Sequence, residues 1–252
     1  MASPVRAAVE QLGLEAMHCG LVGKLPQKRD FIALSAPREF LRIWEPWIET
    51  CLVESQMGLD RGEWAAAFAI APIWRFFLGS GLCGATVRGA FMPSVDALGR
   101  YFPLTVLAWP EEGENLAPPA EDPQWLWFET AEELLLLTLD SDVSMETVVD
   151  SLGKLGDAVV AAPPSAEMQV LFLPAEAGAL AQPLRQIFGA GAEHDQAARV
   201  DPAQMTFWWT LGGDERPAWA WCRKSMPNPR QFMSMLTGCA ADLPQEISYA
   251  RP

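Results

Sequence analysis

The sequence is poor in the residues that most often build metal and nucleophilic sites. Only two of its 252 residues are histidines, His18 and His194, and neither has a partner at metal-ligand spacing. A zinc site needs about four well-placed ligands, so we expect no metal and no cofactor. The cysteines are odd in number, scattered and without a C-x-x-C pair, which favours reduced thiols over a disulfide framework. They are Cys19, Cys51, Cys83, Cys222 and Cys239.

Basic residues are scarce as well. The chain has 18 Lys and Arg against 32 Asp and Glu, a formal net charge of −14. Because nucleic acids and anionic membrane surfaces bind cationic side chains, neither is expected as a partner of the whole chain. No run approaches the ~20 apolar residues of a membrane span, and the first residues lack the apolar core of a signal peptide. We therefore expect a cytoplasmic protein without direct membrane insertion.

Hydrophobic residues are abundant, at 50% of the chain with 11 Trp, which indicates a packed globular protein. The charge along the chain is uneven, with a basic group near the N-terminus and an acidic middle. Each group is either solvated surface or a surface for docking a partner. The basic group is Lys24, Lys28, Arg29, Arg38 and Arg42. The acidic group is Glu111, Glu112, Glu114, Glu121, Asp122, Glu129, Glu132 and Glu133.

Apolar periodicity predicts strands and helices mixed along the chain. The first helix, over residues 35–58, is expected to be capped by Ser35, to hold Pro37 in its first turn and to be kinked or split at Pro46. Other helices are predicted near residues 60–71, 122–139, 145–160, 179–189 and 228–238. Strands are predicted near residues 17–22, 73–80, 83–93, 101–110, 168–174, 205–213 and 218–224.

The pattern of elements favours an α/β fold. The strands look buried on both faces, which predicts a three-layer α/β/α sandwich around a mainly antiparallel, mixed sheet. The three strands of residues 73–110 have short connections and should be antiparallel neighbours. A seam at Pro163 and Pro164 would leave two thin sheets, so we expect a single domain over residues 1–252.

No stretch matches a catalytic or nucleotide-binding pattern. There is no G-x-S-x-G elbow. "GLVGK" at residues 20–24 is too short for a phosphate loop, and Leu25 stands where Ser or Thr would hold magnesium. We predict that the chain is not an enzyme, and a hydrolase ranks last among its functions.

"FMPSVDALGRYFPL", residues 91–104, places a serine, an aspartate and an arginine within seven positions. Asp96 and Arg100 are four residues apart and can form an ion pair, while Ser94 can bond to the backbone two residues on. Gly99 permits an unusual backbone angle. The stretch is therefore either a satisfied polar turn that leads into a buried strand or a small anion site on Arg100 and Ser94.

The tryptophans divide into two groups. Those on the predicted helical and strand faces near the N-terminus should be core, namely Trp44, Trp47, Trp64 and Trp74. In the C-terminal strands, Trp208 and Trp209 should face opposite ways and Trp219 and Trp221 the same way. At least one of these four rings is expected to line an exposed patch.

Several stretches, taken in order, resemble the TagF family (also called ImpM) of accessory proteins of the bacterial type VI secretion system. "GLVGKLPQKRDF", "WEPWI", "APIWRFFL" followed by "CG", and "GAFMPSVDALGRYFPLTV" are similar to its signature segments, densely over residues 20–108. "MTFWWT" and "MPNPRQFMSML" are similar to weaker pieces of the C-terminal part, residues 165–240. Arg29 stands where the family pattern has a glycine, which would cost about 1 kcal/mol if the position has a positive φ.

The resemblance implies a cytoplasmic, non-enzymatic α/β/α protein that represses type VI secretion after translation. It implies a partner, the forkhead-associated scaffold protein of the apparatus. Some relatives are fused to a phosphatase domain, of which the sequence gives no sign. The alternative is a small-ligand or phosphate sensor that uses Ser94, Asp96 and Arg100.

Two sets of residues follow as candidates. The family-motif residues, structural or binding, are Gly23, Lys24, Pro26, Asp30, Phe31, Trp74, Arg75, Pro93, Ser94, Asp96, Gly99 and Arg100. The candidate partner-binding residues are Lys28, Arg29, Arg38 and Arg42, because they lie on or near a turn-rich loop that is available for binding.

Overall fold

A computed structural model of the chain describes residues 17–119, 124–158, 201–212 and 218–238. Strands and helices are mixed along these ranges, as the periodicity predicts. The strands are β1 (Met17–Lys24), β2 (Phe31–Leu34), β3 (Trp74–Leu78), β4 (Val87–Met92), β5 (Leu104–Pro110), β6 (Thr206–Thr210) and β7 (Trp219–Arg223). The helices are α1 (Arg38–Met57), α2 (Arg61–Ala69), α3 (Ser80–Cys83), α4 (Trp125–Leu137), α5 (Met145–Ala158) and α6 (Pro229–Thr237).

The strands form one seven-stranded sheet in the order β2-β1-β5-β4-β3-β6-β7. Every pairing among these strands is antiparallel, which confirms the mainly antiparallel sheet, and no parallel pair lies within the described residues. The neighbours β3, β4 and β5 are joined by short connections, as predicted. The C-terminal strands extend the same sheet at its β3 side.

Alternate side chains of each strand enter two separate cores, one on each face of the sheet. Leu21 packs in a largely aliphatic core with α4 and α5, whereas the next residue, Val22, packs in an aromatic core with α1, α2 and α6. Phe77 and Phe76 divide in the same way. This alternation follows from the two-residue period of a strand, and it places helices against both faces.

Helix α1 differs from its prediction at two prolines and one serine. It begins at Arg38, directly after Pro37, and no side chain caps it, so Ser35 is not the cap. Ser35 instead has a φ of 55°, where it turns the chain from β2 towards the helix. The helix also runs as one element through Pro46, which lies on its exposed side. Burial of the opposite face, which carries Trp44 and Trp47, stabilises the helix despite the lost backbone donor.

The four tryptophans that were predicted to be core are buried. The four tryptophans of the C-terminal strands are buried as well. The expectation that one of Trp208, Trp209, Trp219 and Trp221 lines an exposed patch is therefore wrong. Their directions are as predicted: Trp209 lies in the aliphatic core and the other three lie in the aromatic core. The rings are covered because helices pack on both faces, which strand periodicity alone does not reveal.

Helices α2, α4, α5 and α6 lie where the sequence predicts them, within a few residues. The short helix α3 and the strand β2 were not predicted, and the ends of two predicted strands at residues 80 and 83 belong to α3 instead. Helix α6 begins with a capping box of Asn228 and Gln231, with Pro229 in its first turn. The strand predicted at residues 168–174, the helix at residues 179–189 and the seam at Pro163 and Pro164 lie outside the described residues.

Candidate functional site

The Asp96 turn, residues 94–102, is a tight hairpin between β4 and β5. Val95 and Tyr101 form an antiparallel bridge, and the Asp96 backbone N–H donates to the Arg100 carbonyl at 3.1 Å. The Gly99 N–H closes the tip on the Asp96 carbonyl at 2.9 Å. Gly99 has a φ of 76°, a backbone angle that favours glycine, as its position in the sequence predicts.

The Asp96 carboxylate is buried and fully hydrogen-bonded. Its Oδ1 accepts from the backbone N–H groups of Leu98 and Arg100, each at 2.9 Å. Its Oδ2 accepts from Lys24 Nζ at 2.6 Å and from Arg100 Nε at 2.7 Å. Burial opposes ionisation, but the hydrogen bonds from Lys24 and Arg100 outweigh it and hold the pKa of Asp96 well below its usual range. The carboxylate is therefore charged at neutral pH and has no free acceptor position directed at a ligand.

A basic loop, residues 25–30, is attached to this turn along its length. Ser94 Oγ donates to the Lys24 carbonyl at 2.6 Å, the Ala97 N–H donates to the Lys28 carbonyl at 3.2 Å, and an Arg100 guanidinium nitrogen donates to the Arg29 carbonyl. The prediction that Ser94 bonds to backbone two residues on is wrong, because its partner lies 70 residues away in the chain. The part of the loop around Lys28 and Arg29 is therefore held by its backbone, which leaves the side chains of these two residues available.

Gly23 explains how the loop leaves β1. It has a φ of 126°, and a Cβ built on it would lie 2.1 Å from the carbonyl oxygen of Pro103. Only a glycine permits the strand to approach the start of β5 so closely at this angle. The segment "GLVGK", residues 20–24, and the Asp96 turn thus meet at one place in the fold.

The other side of the basic loop contacts the helical layer. The Gln27 side-chain amide donates to the carbonyl oxygens of Thr138 at 2.8 Å and of Asp140 at 2.7 Å. These carbonyls follow the C-terminal end of α4 and have no partner within the helix. Gln27 therefore connects the loop to α4 as well as to the sheet.

The tip of the basic loop, residues 28–30, is exposed and carries Lys28, Arg29 and Asp30. Arg29 does not adopt a positive φ. Its presence where the family pattern has a glycine therefore causes no backbone strain. Phe31 follows, 39% exposed, with its ring edge against Phe102 at 5.1 Å between centroids.

The other two candidate partner-binding residues lie at the start of α1. Arg38 is exposed, and Arg42 pairs with Glu39 at 2.7 Å while its side chain stays 74% exposed. Such exposed ion pairs contribute little to stability. Because both side chains are exposed, the guanidinium groups of Arg38 and Arg42 are accessible to a partner.

Two of the family-motif residues lie elsewhere, on β3. Trp74 is buried in the aromatic core, where its Nε1 donates to the Met235 carbonyl of α6 at 3.1 Å. Arg75 is fully buried on the opposite face, where its Nε pairs with Glu132 Oε1 at 2.5 Å and its guanidinium packs on the rings of Trp125 and Phe128. The structure therefore joins Gly23, Lys24, Ser94, Asp96 and Arg100 in one network and leaves Trp74 and Arg75 to connect the sheet with its helices.

Three of the described cysteines are poor nucleophiles in their buried positions. Burial raises the pKa of Cys51 to about 12 and that of Cys83 to about 11, and it raises the pKa of Cys222. Thiols with raised pKa values are inert at neutral pH. Within the part of the chain that the structure describes, no three His, Cys, Asp or Glu residues are grouped so that they could hold a metal ion. None of the described helices is both long and apolar enough to cross a bilayer.

Two contacts of the site have no signal in the sequence. Lys24 is a motif residue, but its ion pair with Asp96 joins positions 72 apart in the chain. Gln27 reaches acceptors 111 and 113 positions away, and these acceptors are backbone carbonyls that no residue type marks. Only the tertiary structure reveals either contact.

Comparison with known proteins identifies the family and a similar fold. The model of the TagF N-terminal domain, described as type VI secretion system-associated, matches residues 20–155, more than half of the chain. A solved structure, the crystal structure of PA0076 from Pseudomonas aeruginosa PAO1, is similar with a TM-score of 0.67 and 28% identity over 93% of this chain and 100% of that chain. A comparison with curated proteins finds no match. The chain belongs to the family of the TagF N-terminal domain, the type VI secretion system-associated family.

Proposed function

We propose that this protein is a cytoplasmic accessory protein that represses type VI secretion after translation by binding the forkhead-associated scaffold protein of the apparatus. The basic loop and the neighbouring Arg38 and Arg42 make the contact. The protein acts as a binding protein and catalyses no reaction. Family membership supports a role in type VI secretion, and the partner and the repression are the further steps of the proposal.

The observation that carries the proposal is an exposed basic tip on a loop whose backbone is fixed. Lys28 and Arg29 extend from a loop that Ser94, Ala97 and Arg100 hold by backbone contacts. A loop that is already ordered loses little conformational entropy when it binds. In a chain with a net charge of −14, a basic tip of this kind favours an acidic surface on the partner and raises the association rate.

The sensor alternative has no comparable support. Ser94 Oγ, both Asp96 oxygens and Arg100 Nε are engaged with the protein itself. A ligand that used Ser94 or the Asp96 carboxylate would have to break this network before it could bind there. We therefore assign the cluster a positioning role for the basic loop.

The test combines binding with secretion. Purified protein is used to capture the scaffold protein, and secretion of the tube protein is measured in cells that lack the gene or carry Lys28→Glu with Arg29→Glu. We expect capture by the unaltered protein, increased secretion in the deletion strain, and loss of both capture and repression in the double variant.

A matched control distinguishes the effect of changing the basic tip from the effect of changing the net charge. Arg61→Glu with Lys154→Glu reverses two exposed basic residues on α2 and α5 and changes the net charge equally. This control should capture the scaffold and repress secretion normally. Unchanged secretion in the deletion strain together with no capture of the scaffold would refute the proposal.

A further inference from the structure

Strand β2 lies at an open edge of the sheet. It pairs with β1 on one side, and no strand of the described residues pairs with its other side. Phe31 and Ala33 are exposed along it. The strand at the opposite edge, β7, has its first three residues buried. An open edge presents backbone N–H and C=O groups in a row, which another extended chain can pair with.

Basic residues flank β2 on both sides in the sequence. Lys28 and Arg29 lie three and two residues before it, and Arg38 and Arg42 lie four and eight residues after it, in the first two turns of α1. Four strand residues span about 13 Å, so the two basic groups lie on either side of a short edge strand in the sequence. Asp30 and Glu39 are the acidic residues of this stretch, and Glu39 is paired with the highly exposed Arg42. Residues 28–42 thus hold four basic and two acidic side chains in an otherwise acidic protein.

These charges select among the chains that could occupy the edge. A second copy in antiparallel pairing would bring its basic groups opposite those of the first copy, and like charges at close range oppose association. A nucleic acid would match the charge but lacks a peptide backbone to complete the row of N–H and C=O groups. An acidic polypeptide in extended conformation satisfies both features.

We propose that the β2 edge binds an extended acidic segment of a protein partner by strand addition, with acidic side chains of that segment contacting the basic groups at both ends. This rests on the proposed function for the identity of the protein that carries the segment. Alternate apolar side chains of the segment lie beside Phe31 and Ala33, the exposed face of the strand. Backbone pairing supplies the orientation, and the two basic groups supply the selectivity.

A peptide experiment with the full chain tests the proposal. The probe is a capped peptide of about eight residues that alternates Glu and Val, with three comparison peptides: one with Lys in place of Glu, one with alternate amides N-methylated, and one with the same composition made helical by a covalent staple. Binding is measured by titration calorimetry, and backbone amide hydrogen exchange is followed residue by residue.

We expect the Glu–Val peptide alone to bind and to slow exchange of amides within β2. Lys28→Glu with Arg29→Glu, and separately Arg38→Glu with Arg42→Glu, should each weaken binding about tenfold or more, while Arg61→Glu with Lys154→Glu should not. Equal binding of the N-methylated or helical peptide, no slowing of exchange in β2, self-association through β2 in sedimentation, or no binding at all would each overturn the proposal.

The outcomes also separate this proposal from the function above. Capture of the scaffold protein without any peptide-dependent protection of β2 would refute the strand addition and leave the function in place. Protection of β2 by the peptide without capture of the scaffold would refute the function and leave the edge as a binding site for another acidic partner.

Discussion

The Asp96 turn and the tip of the basic loop are neighbours with opposite properties. The turn holds a buried carboxylate whose two oxygens accept from four donors, while residues 28–30 of the loop are exposed. Both belong to densely matching motif segments, so resemblance does not distinguish them. The difference teaches that the motif residues of the turn stabilise the conformation of the loop, whereas the adjacent motif residues at the tip expose their side chains to solvent.

The largest expected effect comes from Gly23, where the turn and β1 meet. Gly23→Ala places a Cβ 2.1 Å from the Pro103 carbonyl oxygen and keeps a φ that L-residues avoid. We expect a loss of unfolding free energy of about 4 kcal/mol or more, measured by urea denaturation. Gly99→Ala is the control, because Gly99 also has a positive φ but a Cβ there meets nothing. It should cost about 1–2 kcal/mol, and equal losses at both positions would show that the close contact is unimportant.

Asp96→Asn tests the charge at the centre of the turn. The folded pKa of Asp96 is lowered, whereas the unfolded value is about 3.9. Its ionised form therefore stabilises the fold above about pH 4, and this contribution is lost as the pH falls further, since the unfolded chain takes up the proton first. We expect the variant to melt well below the unaltered protein at pH 7, with the gap narrowing below pH 4.

The matched control for this substitution is Glu49→Gln, at an exposed position of α1. It should melt within a degree or so of the unaltered protein, because exposed surface substitutions change stability little. A gap between Asp96→Asn and the unaltered protein that stays constant from pH 7 to pH 3 would contradict the assigned role of the carboxylate.

Ser94→Ala removes one connection between the turn and the loop. The Lys24 carbonyl would lose its hydroxyl donor at a partly buried position, which we expect to cost about 1–3 kcal/mol in denaturant unfolding. Ser141→Ala, at an exposed serine, should cost less than about 0.5 kcal/mol. Identical unfolding curves for the two variants would mean that the Ser94 hydroxyl does not hold the loop.

The smallest effect on stability is expected at the tip itself. Lys28→Glu with Arg29→Glu alters exposed side chains and leaves the backbone contacts of the loop in place, so the free energy of unfolding should change by less than about 0.5 kcal/mol. Binding of the scaffold protein should nevertheless be lost. A large drop in melting temperature would show that the tip stabilises the fold, and the contrast between turn and tip would then disappear.

The helices and strands were predictable where local patterns dominate. The apolar face of α1, the position of α6 and the short strands β3, β4 and β5 follow from periodicity and turn residues. Some wrong predictions are local, such as the cap by Ser35 and the interruption at Pro46, but others concern groups whose partners are distant. The Ser94 hydroxyl bonds across 70 positions, and the tryptophans of β6 and β7 are covered by helices from other parts of the chain.

By itself the sequence determined the family, the alternation of strands and helices, and the pairing of Asp96 with Arg100, because each depends on residues that are close together or on an ordered set of segments. Only the tertiary structure decided that Lys24 completes the Asp96 network, that Gln27 ties the loop to the end of α4, and that β2 is an edge strand of the sheet formed by the described residues. These features depend on strand order and on contacts between distant segments. Local periodicity carries no information about either, because it records which face of an element is buried and not what covers it.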